Sequence, residues 1–286
     1  MDDDELRDER TLSPENDIVE LCRGLVVIDS GQDVFRLAHY SVREYLLSRI
    51  EYTTVELHAF ATERCLDIYL AESWPGSNSP KTVKQNSLLK SYAEVYWPVH
   101  YKYIEGHESS ELRRKILQFT KQESKTSLSY AEWASDISQH GDRDGRSLNK
   151  SLKLNADDRL GYRLCFASSE PRTHLSAACA FGFPSFMKDC DLSSIDWNPR
   201  QSSNGQRYTL LLIAAEEDHE TVVRFLLECG ADIGAEGGGY GHALRAASAG
   251  GHVQVVNILL DNEADVNAQG GRYENALQAA STGGHV

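Results

Sequence analysis

A spacing of 33 residues, repeated along the C-terminal part of the chain, constrains the fold more than any other sequence feature. His219, His252 and His285 follow one another at this interval. The same step relates Asp232 to Asp265, and it relates the pairs of valines and leucines that lie near them. A fixed period of this length is typical of a solenoid, in which each unit buries its apolar face only against its neighbours.

Each period contains the pattern of two helices and a loop. Thr209 precedes a short helix with small alanines, which allow neighbouring helices to approach closely. Residues 220–229 form a second helix whose valines and leucines recur at helical spacing and make one buried stripe. Gly230 ends this helix because glycine accepts a left-handed backbone. A glycine-rich loop then leads to the next unit.

These units resemble the ankyrin repeat, whose pattern has paired alanines in the first helix, a Gly-His turn, a Val-Val-x-Leu-Leu second helix and a Gly-Ala-Asp ending. Residues 207–235 and 240–268 match this pattern closely, and a weaker unit begins at Thr173. A last unit begins at Tyr273 and stops before its second helix. The resemblance implies an ankyrin-repeat solenoid over residues 170–286, with about three and a half repeats and the last one truncated.

The same resemblance implies a protein partner and a surface that binds it. Ankyrin repeats contact partners through the tips of their loops and the exposed surface of their first helices, and Tyr and Arg are enriched at interface hot spots. The candidate residues at the matching positions are Arg207, Tyr208, Glu216, Glu217, Tyr240, His242, Arg245, Arg272 and Tyr273.

Sites for catalysis, cofactors or metals are not predicted. The glycine-rich stretch 234–241 could suggest a phosphate loop, but that loop needs a Gly-Lys pair and the sequence has none. Histidines one repeat apart lie on neighbouring units, whereas metal ligands converge within about 2.1 Å of one ion. The resemblance implies instead that they hold the turn between helices. With no catalytic motif such as G-x-S-x-G or H-E-x-x-H present, we expect no enzyme activity and no small-molecule substrate.

The N-terminal part has a different pattern. Ser13 can cap a helix with proline at its first position. Residues 25–28 and 34–38 alternate like strands, and a polar turn joins them into a small β-hairpin. Ser41 begins a capping box that opens another helix. Helix, hairpin and helix over residues 13–52 are consistent with the end of a winged-helix unit.

Two strings in this part carry a more specific resemblance. Residues 34–47 (VFRLAHYSVREYLL) and 92–100 (YAEVYWPVH) resemble the winged-helix and helical segments that follow the NACHT-type NTPase module of fungal STAND-class signalling ATPases. Many of those proteins carry C-terminal ankyrin repeats. The NTPase module would precede residue 1, and no Walker lysine is present, so the resemblance does not imply ATP hydrolysis by this chain.

We therefore expect a mainly α-helical chain with five segments. They are an acidic disordered tail (1–12), a winged-helix segment (13–52), a helical region (53–138), a linker (139–169) and the ankyrin repeats (170–286).

Charge and composition limit the classes of partner and the compartment that we expect. The formal net charge is −14, which disfavours a nucleic acid, because a phosphate backbone is bound by clustered Lys and Arg. No window approaches the ~18 apolar residues of a membrane span, and an acidic N-terminus is unlike a secretory signal. The six cysteines are expected to be reduced. We expect an intracellular protein, cytoplasmic or nuclear.

Three functions remain open. The first is a non-catalytic protein–protein interaction module in which the repeats bind a partner and are coupled to the winged-helix segment. The second is a regulatory or sensor part of a STAND-type ATPase. The third is weak DNA binding by the winged helix, although its helix at 41–49 offers only Arg43 and Arg49.

Overall fold

The computed structural model describes most of the chain from residue 53 onward and two short segments before it. The predicted tail, the helices predicted near residues 13–22 and 41–49, and the turn that joins the two predicted strands lie outside the described residues. The described residues are 26–29, 34–37, 53–70, 80–122, 125–139, 159–169, 173–187, 208–271 and 273–285.

The described part of the chain is mainly helical. The strands are β1 (Val26–Asp29), β2 (Val34–Leu37), β3 (Lys121–Gln122) and β4 (Lys125–Thr126). The helices before the repeats are α1 (Thr54–Leu70), α2 (Pro80–Ile104), α3 (Ser110–Thr120), α4 (Leu128–Gln139) and α5 (Leu160–Ala167). The helices of the repeats are α6 (His174–Phe181), a 3₁₀ turn (Pro184–Phe186), α7 (Leu210–Glu216), α8 (Glu220–Glu228), α9 (Ala243–Gly250), α10 (Val253–Asp261) and α11 (Ala276–Gly283).

The strands β1 and β2 pair antiparallel, with Val26 opposite Leu37 and Asp29 opposite Val34. Both are rich in β-branched and aromatic residues, which favour extended backbone. The pairing agrees with the positions of the two strands expected from the sequence. A pair of strands does not establish a winged helix, because the helices that would complete it are not among the described residues. The winged-helix assignment therefore stays a prediction.

The chain divides into two compact units, residues 1–57 and residues 58–286. In the first unit, the described residues are β1, β2 and the start of α1. In the second unit, one hydrophobic core continues from the helical region into the repeats. The finer boundaries expected at residues 12, 52, 138 and 169 stay predictions.

Aromatic side chains form the core of the helical region. The Trp97 and Trp133 rings meet edge to face at 5.3 Å between centroids, and Phe119 lies against Trp97 at 5.1 Å. Trp133 Nε1 donates to the carbonyl oxygen of Glu94 at 2.9 Å, so its buried N–H group is satisfied. Each such buried side chain contributes roughly 1.5–3 kcal/mol. This packing explains why the apolar positions of α2, α3 and α4 recur at helical spacing.

Residues 160–167 were expected in the linker, but they form the helix α5. Leu164 is fully buried and Phe166 nearly so, and α5 packs against α6. Tyr130 Oη donates to the carbonyl oxygen of Ala167 at 2.8 Å and connects the end of α5 to α4. The apolar face of this short helix gives it a place in the core. It is therefore an ordered start to the repeat stack.

In the repeats, the first helices α6, α7, α9 and α11 pack side by side. Paired alanines such as Ala214 and Ala215 are fully buried where these helices meet, which explains why small residues recur there. The second helices α8 and α10 cover them with a stripe of valines and leucines. The expected helix pairs of the units at 207–235 and 240–268 are therefore present. Thr209 Oγ1 accepts from the backbone N–H of Leu212 at 3.1 Å and caps α7.

The end of each first helix has a left-handed residue. Gly182, Gly251 and Gly284 have φ values of 72°, 70° and 77° at the ends of α6, α9 and α11. After α7 the corresponding residue is Asp218, with φ of 59°. Asp pays a steric cost there that glycine does not. The Gly-His turn of the repeat thus keeps its backbone shape even where its glycine is absent.

Candidate protein-binding surface

The loops that follow α8 and α10 are the sites where an ankyrin-type stack presents residues to a partner. We call residues 232–242 finger 1 and residues 265–275 finger 2. Each begins with an aspartate that fixes the loop locally: Asp232 Oδ1 accepts from the N–H of Gly234, and Asp265 Oδ1 accepts from the N–H of Asn267, both at 2.9 Å. Such turns need no distant partner, so the sequence period is enough to place them.

Finger 1 is closed by backbone hydrogen bonds and rests on an aromatic ring. Gly237 and Gly241 donate to each other's carbonyl oxygens, at 2.6 and 2.9 Å. At the tip, Gly238 has φ of 56°, and a Cβ atom there would lie 2.5 Å from Cε1 of Tyr208. The Tyr208 ring in turn meets Phe166 edge to face at 4.6 Å. The glycine-rich stretch therefore shapes the finger and lets it lie flat on Tyr208.

Finger 2 rests on finger 1 through another glycine. Gly271 has φ of 64°, and a Cβ atom there would lie 2.6 Å from the carbonyl oxygens of Gly239 and Tyr240. The Tyr240 and Tyr273 rings are stacked, 6.0 Å apart with an angle of 21° between their planes. Both rings are partly exposed. The two fingers thus form a continuous surface with a pair of tyrosines on it.

Arg245 was expected on the exposed face of a first helix, and this expectation is wrong. Its side chain is 1% exposed. Its guanidinium Nη1 donates to the carbonyl oxygens of Gly270, Tyr273 and Glu274, the last two at 2.5 and 3.5 Å. The helix α9 directs the Arg245 side chain towards the following repeat, where carbonyl oxygens of the loop accept hydrogen bonds from it. Arg245 therefore fixes finger 2 from beneath.

His242 was also expected to be exposed, and it is buried instead. Its Nε2 donates to the carbonyl oxygen of Gln269 at 3.2 Å, so it also connects finger 1 to the base of finger 2. Glu236 is exposed, and its Oε1 lies 4.0 Å from His242 Nε2. His242 occupies the start of α9, where the chain enters the stack, and the next finger covers it. A partner that binds the fingers would meet Glu236 and not this imidazole.

Glu216 and Glu217 were expected on the surface too, but both are buried against α5. Tyr162 Oη lies 2.8 Å from both carboxylate oxygens of Glu216, and Arg159 forms ion pairs with Glu216 at 3.0 Å and Glu217 at 2.7 Å. Arg163 Nε donates to Glu217 at 2.6 Å. Burial raises the pKa of Glu216, while the Tyr162 hydroxyl and the Arg159 charge oppose that rise.

This cluster contains the residues that the sequence prediction missed. Arg159, Tyr162 and Arg163 lie in the segment that was assigned to the linker. Their spacing of three and four residues puts them on one face of a helix, and this spacing was the available signal. It could have indicated a helix with a basic face, although not which carboxylates that face would meet.

The repeated histidines connect successive units. His219 Nε2 donates to the carbonyl oxygen of Ala180 at 3.3 Å, and His252 Nε2 donates to that of Glu216 at 3.1 Å. Each bond connects the turn to the preceding unit, because stacking brings the end of that unit's first helix beneath the ring. Burial, together with the nearby charges of Lys102 and Arg163, lowers the pKa of His219 to about 4.

Of the nine predicted contact residues, three can be placed on the accessible part of this surface. Tyr208, Tyr240 and Tyr273 are partly exposed, and the role of each in binding stays a prediction. Arg207 and Arg272 lie outside the described residues. Within the described ranges, no group of three or more His, Cys, Asp or Glu side chains is arranged to hold a metal ion. Among those same residues, no helix is long and apolar enough to cross a membrane.

Comparison with known proteins agrees with this geometry. Residues 175–270 match the protein family described as ankyrin repeats (3 copies), so ankyrin repeats are present. The chain is also similar to the azaphilone pigments biosynthesis cluster protein L of Monascus ruber, with 31% identity over 246 residues. That alignment covers 77% of this chain and 47% of the relative, so the chain spans about half the relative's length. The repeats indicate a protein–protein interaction module.

Proposed function

We propose that this ankyrin-repeat chain is a non-catalytic interaction module that binds a partner protein on fingers 1 and 2. The single observation that carries the proposal is the pair of fingers stacked backbone on backbone, with Gly271 against Tyr240 and the Tyr240 and Tyr273 rings side by side. A surface fixed before binding loses little conformational entropy when a partner docks. Partly exposed tyrosines provide large contact areas at low entropic cost.

The buried contacts beneath the fingers support the same proposal. Arg245 holds finger 2 by its backbone carbonyls, and His242 holds Gln269. Neither side chain is available to a partner, so both act as positioning residues. The proposed contact residues within the fingers are then Tyr240 and Tyr273, which are partly exposed.

Photocrosslinking in the source cells tests this proposal. Benzoylphenylalanine placed at Tyr240 should crosslink a partner protein, whereas the same group at Arg224, which is exposed on α8, should not. Arg224 lies in α8 and Tyr240 in the loop that follows this helix, so the control position is close to the tested one in the chain. A partner captured only from Arg224 would place binding on the second helices and refute the finger surface. Capture from neither position would refute the interaction proposal for these repeats.

A second candidate function is a regulatory or sensor part of a STAND-type signalling ATPase, coupled through a winged-helix segment. The string at 34–47 favours it, and the antiparallel pair of β1 and β2 is compatible with such a segment. The genomic sequence upstream of the codon for residue 1 provides the test. A reading frame that encodes G-x-x-x-x-G-K-[ST] within a predicted strand-loop-helix unit would support this candidate. Its absence from that region would contradict it.

A further inference from the structure

The charged residues described in the two fingers, apart from histidine, are all acidic. Asp232 and Glu236 in finger 1 and Asp265 and Glu274 in finger 2 are all exposed, and no Lys or Arg lies in the described residues of either finger. Finger 2 has one further charge in the sequence, Arg272, outside those residues. Between residues 208 and 285 the sequence has 11 Asp and Glu and 3 Lys and Arg.

Part of this excess is offset by arginines within the fold. Glu216 and Glu217 are neutralised inside the stack by Arg159 and Arg163. The only arginine of α9, Arg245, is buried with its guanidinium directed at backbone carbonyls. The four carboxylates described in the fingers are nevertheless exposed to solvent, and the buried charge of Arg245 interacts with one of them, Glu236.

Aromatic faces beside carboxylates match one kind of side chain. A guanidinium or ammonium group is attracted to the face of a tyrosine ring within about 6 Å of its centroid. A flat guanidinium also stacks on such a ring while it donates to a carboxylate. Tyr240 and Tyr273 present two nearly parallel rings. Glu274 is next to Tyr273 in sequence, and Glu236 is exposed in finger 1.

The glycines of the fingers leave this surface open. The tip of finger 1 is Gly237, Gly238 and Gly239, and that of finger 2 is Gly270 and Gly271. None of these glycines has a side chain that could cover the tyrosine rings.

From these observations we infer that fingers 1 and 2 bind an arginine-rich or lysine-rich segment of a partner protein, whose cationic side chains lie on Tyr240 and Tyr273 and pair with Glu236 and Glu274. The inference rests on the proposed function and specifies the chemistry of its partner. Arg245 is a positioning residue for this surface, because it fixes the backbone of Tyr273 and Glu274.

The test uses the full chain and a fluorescein-labelled peptide of alternating arginine and glycine. Fluorescence anisotropy should show saturable binding that weakens with added salt, because exposed charges are screened. The matched peptide with citrulline in place of arginine has the same shape and no charge, and it should not bind. Equal binding of the citrulline peptide would overturn the inference.

Variants locate the binding site. Tyr240→Leu should weaken binding of the arginine peptide about threefold, which corresponds to loss of one exposed cation–π contact, whereas Tyr240→Phe should retain it. The double variant Glu236→Gln with Glu274→Gln should lower the salt dependence. Glu228→Gln removes an exposed carboxylate from α8, and it should leave binding unchanged. If Glu228→Gln weakens binding as much as the finger variants do, the attraction is unspecific and the inference is wrong.

A loss of structure is distinguished from a loss of contact by Tyr240→Phe and by the thermal unfolding midpoint of each variant. If the arginine peptide fails to bind while benzoylphenylalanine at Tyr240 still crosslinks a partner, the cationic partner is refuted and the proposed function stands. If both experiments fail, the finger surface itself is refuted.

Discussion

His219 makes the stability of the repeat stack depend on pH. Its Nε2 donates to the Ala180 carbonyl oxygen, and burial lowers the pKa of the imidazole to about 4 in the folded protein. In the unfolded chain the pKa of histidine is about 6.5. Between these two values the unfolded chain binds more protons than the folded chain. The free energy of unfolding is therefore fully maintained above about pH 6.5 and decreases as the pH falls towards about 4.

The size of this effect follows from the two pKa values. Between about pH 7.5 and about pH 5.0, proton linkage at this single residue lowers the free energy of unfolding by roughly 2 kcal/mol. The positive charges of Lys102 and Arg163 near the ring act in the same direction. Burial also lowers the pKa values of His58 and His100, and it raises the pKa of Glu216, so other groups contribute to the total slope.

The substitution His219→Gln isolates the contribution of His219. A glutamine amide can donate to the Ala180 carbonyl oxygen but does not titrate. Urea unfolding followed by circular dichroism at both pH values should give a difference that is smaller by roughly 2 kcal/mol in the variant. His107, which is exposed, provides the matched control, and His107→Gln should keep the wild-type difference. If wild type and His219→Gln lose the same stability, the imidazole is not buried as described.

Three further predictions concern other contacts, each measured by urea unfolding. Asp218→Gly should raise the free energy of unfolding by about 0.5 kcal/mol, because it removes the steric strain of a non-glycine residue with φ of 59°. A free energy of unfolding below that of the wild type would show that the aspartate side chain stabilises the turn. Gly271→Ala should lower it by at least about 1 kcal/mol, since its Cβ would lie 2.6 Å from the backbone of finger 1. Gly234→Ala, whose Cβ would have ordinary contacts, is its control, and equal effects would refute the finger stacking. Arg163→Met should lower the free energy of unfolding by about 2 kcal/mol, because it removes a partner from the buried Glu217 carboxylate. Adding Glu217→Leu should restore part of this free energy, and a further decrease would contradict the ion pair.

The prediction from sequence was accurate where the signal is local and repeated. The helices α7 to α10 lie where the apolar spacing placed them, and the strands β1 and β2 pair where alternation placed them. It was inaccurate where a segment looks polar but has a partner elsewhere. The helix α5 is an example, since it lies within the predicted linker at 139–169, and its Arg159 and Arg163 meet Glu216 and Glu217 only in the folded protein.

The candidate site was also predictable only in part. The tyrosines and glycines of the fingers could be identified from the 33-residue period, because each finger is built by turns between near neighbours such as Asp232 and Gly234. The exposure of the charged candidate residues could not be predicted from the sequence. A charged side chain at a first-helix position is usually solvated, and only a specific partner makes its burial favourable.

The sequence by itself determined the repeat, its two-helix unit and the glycine-rich loops, because these follow from side-chain spacing and backbone preferences within about one helical turn. The tertiary structure decided which charged residues are buried. Glu217 is paired with Arg163, 54 positions away in the chain, and Nη1 of Arg245 donates to carbonyl oxygens of the next repeat. Such partners are distant in sequence and meet only when the helices stack. Stacking therefore buries Arg245 beneath the fingers and leaves Tyr240 and Tyr273 partly exposed on their surface.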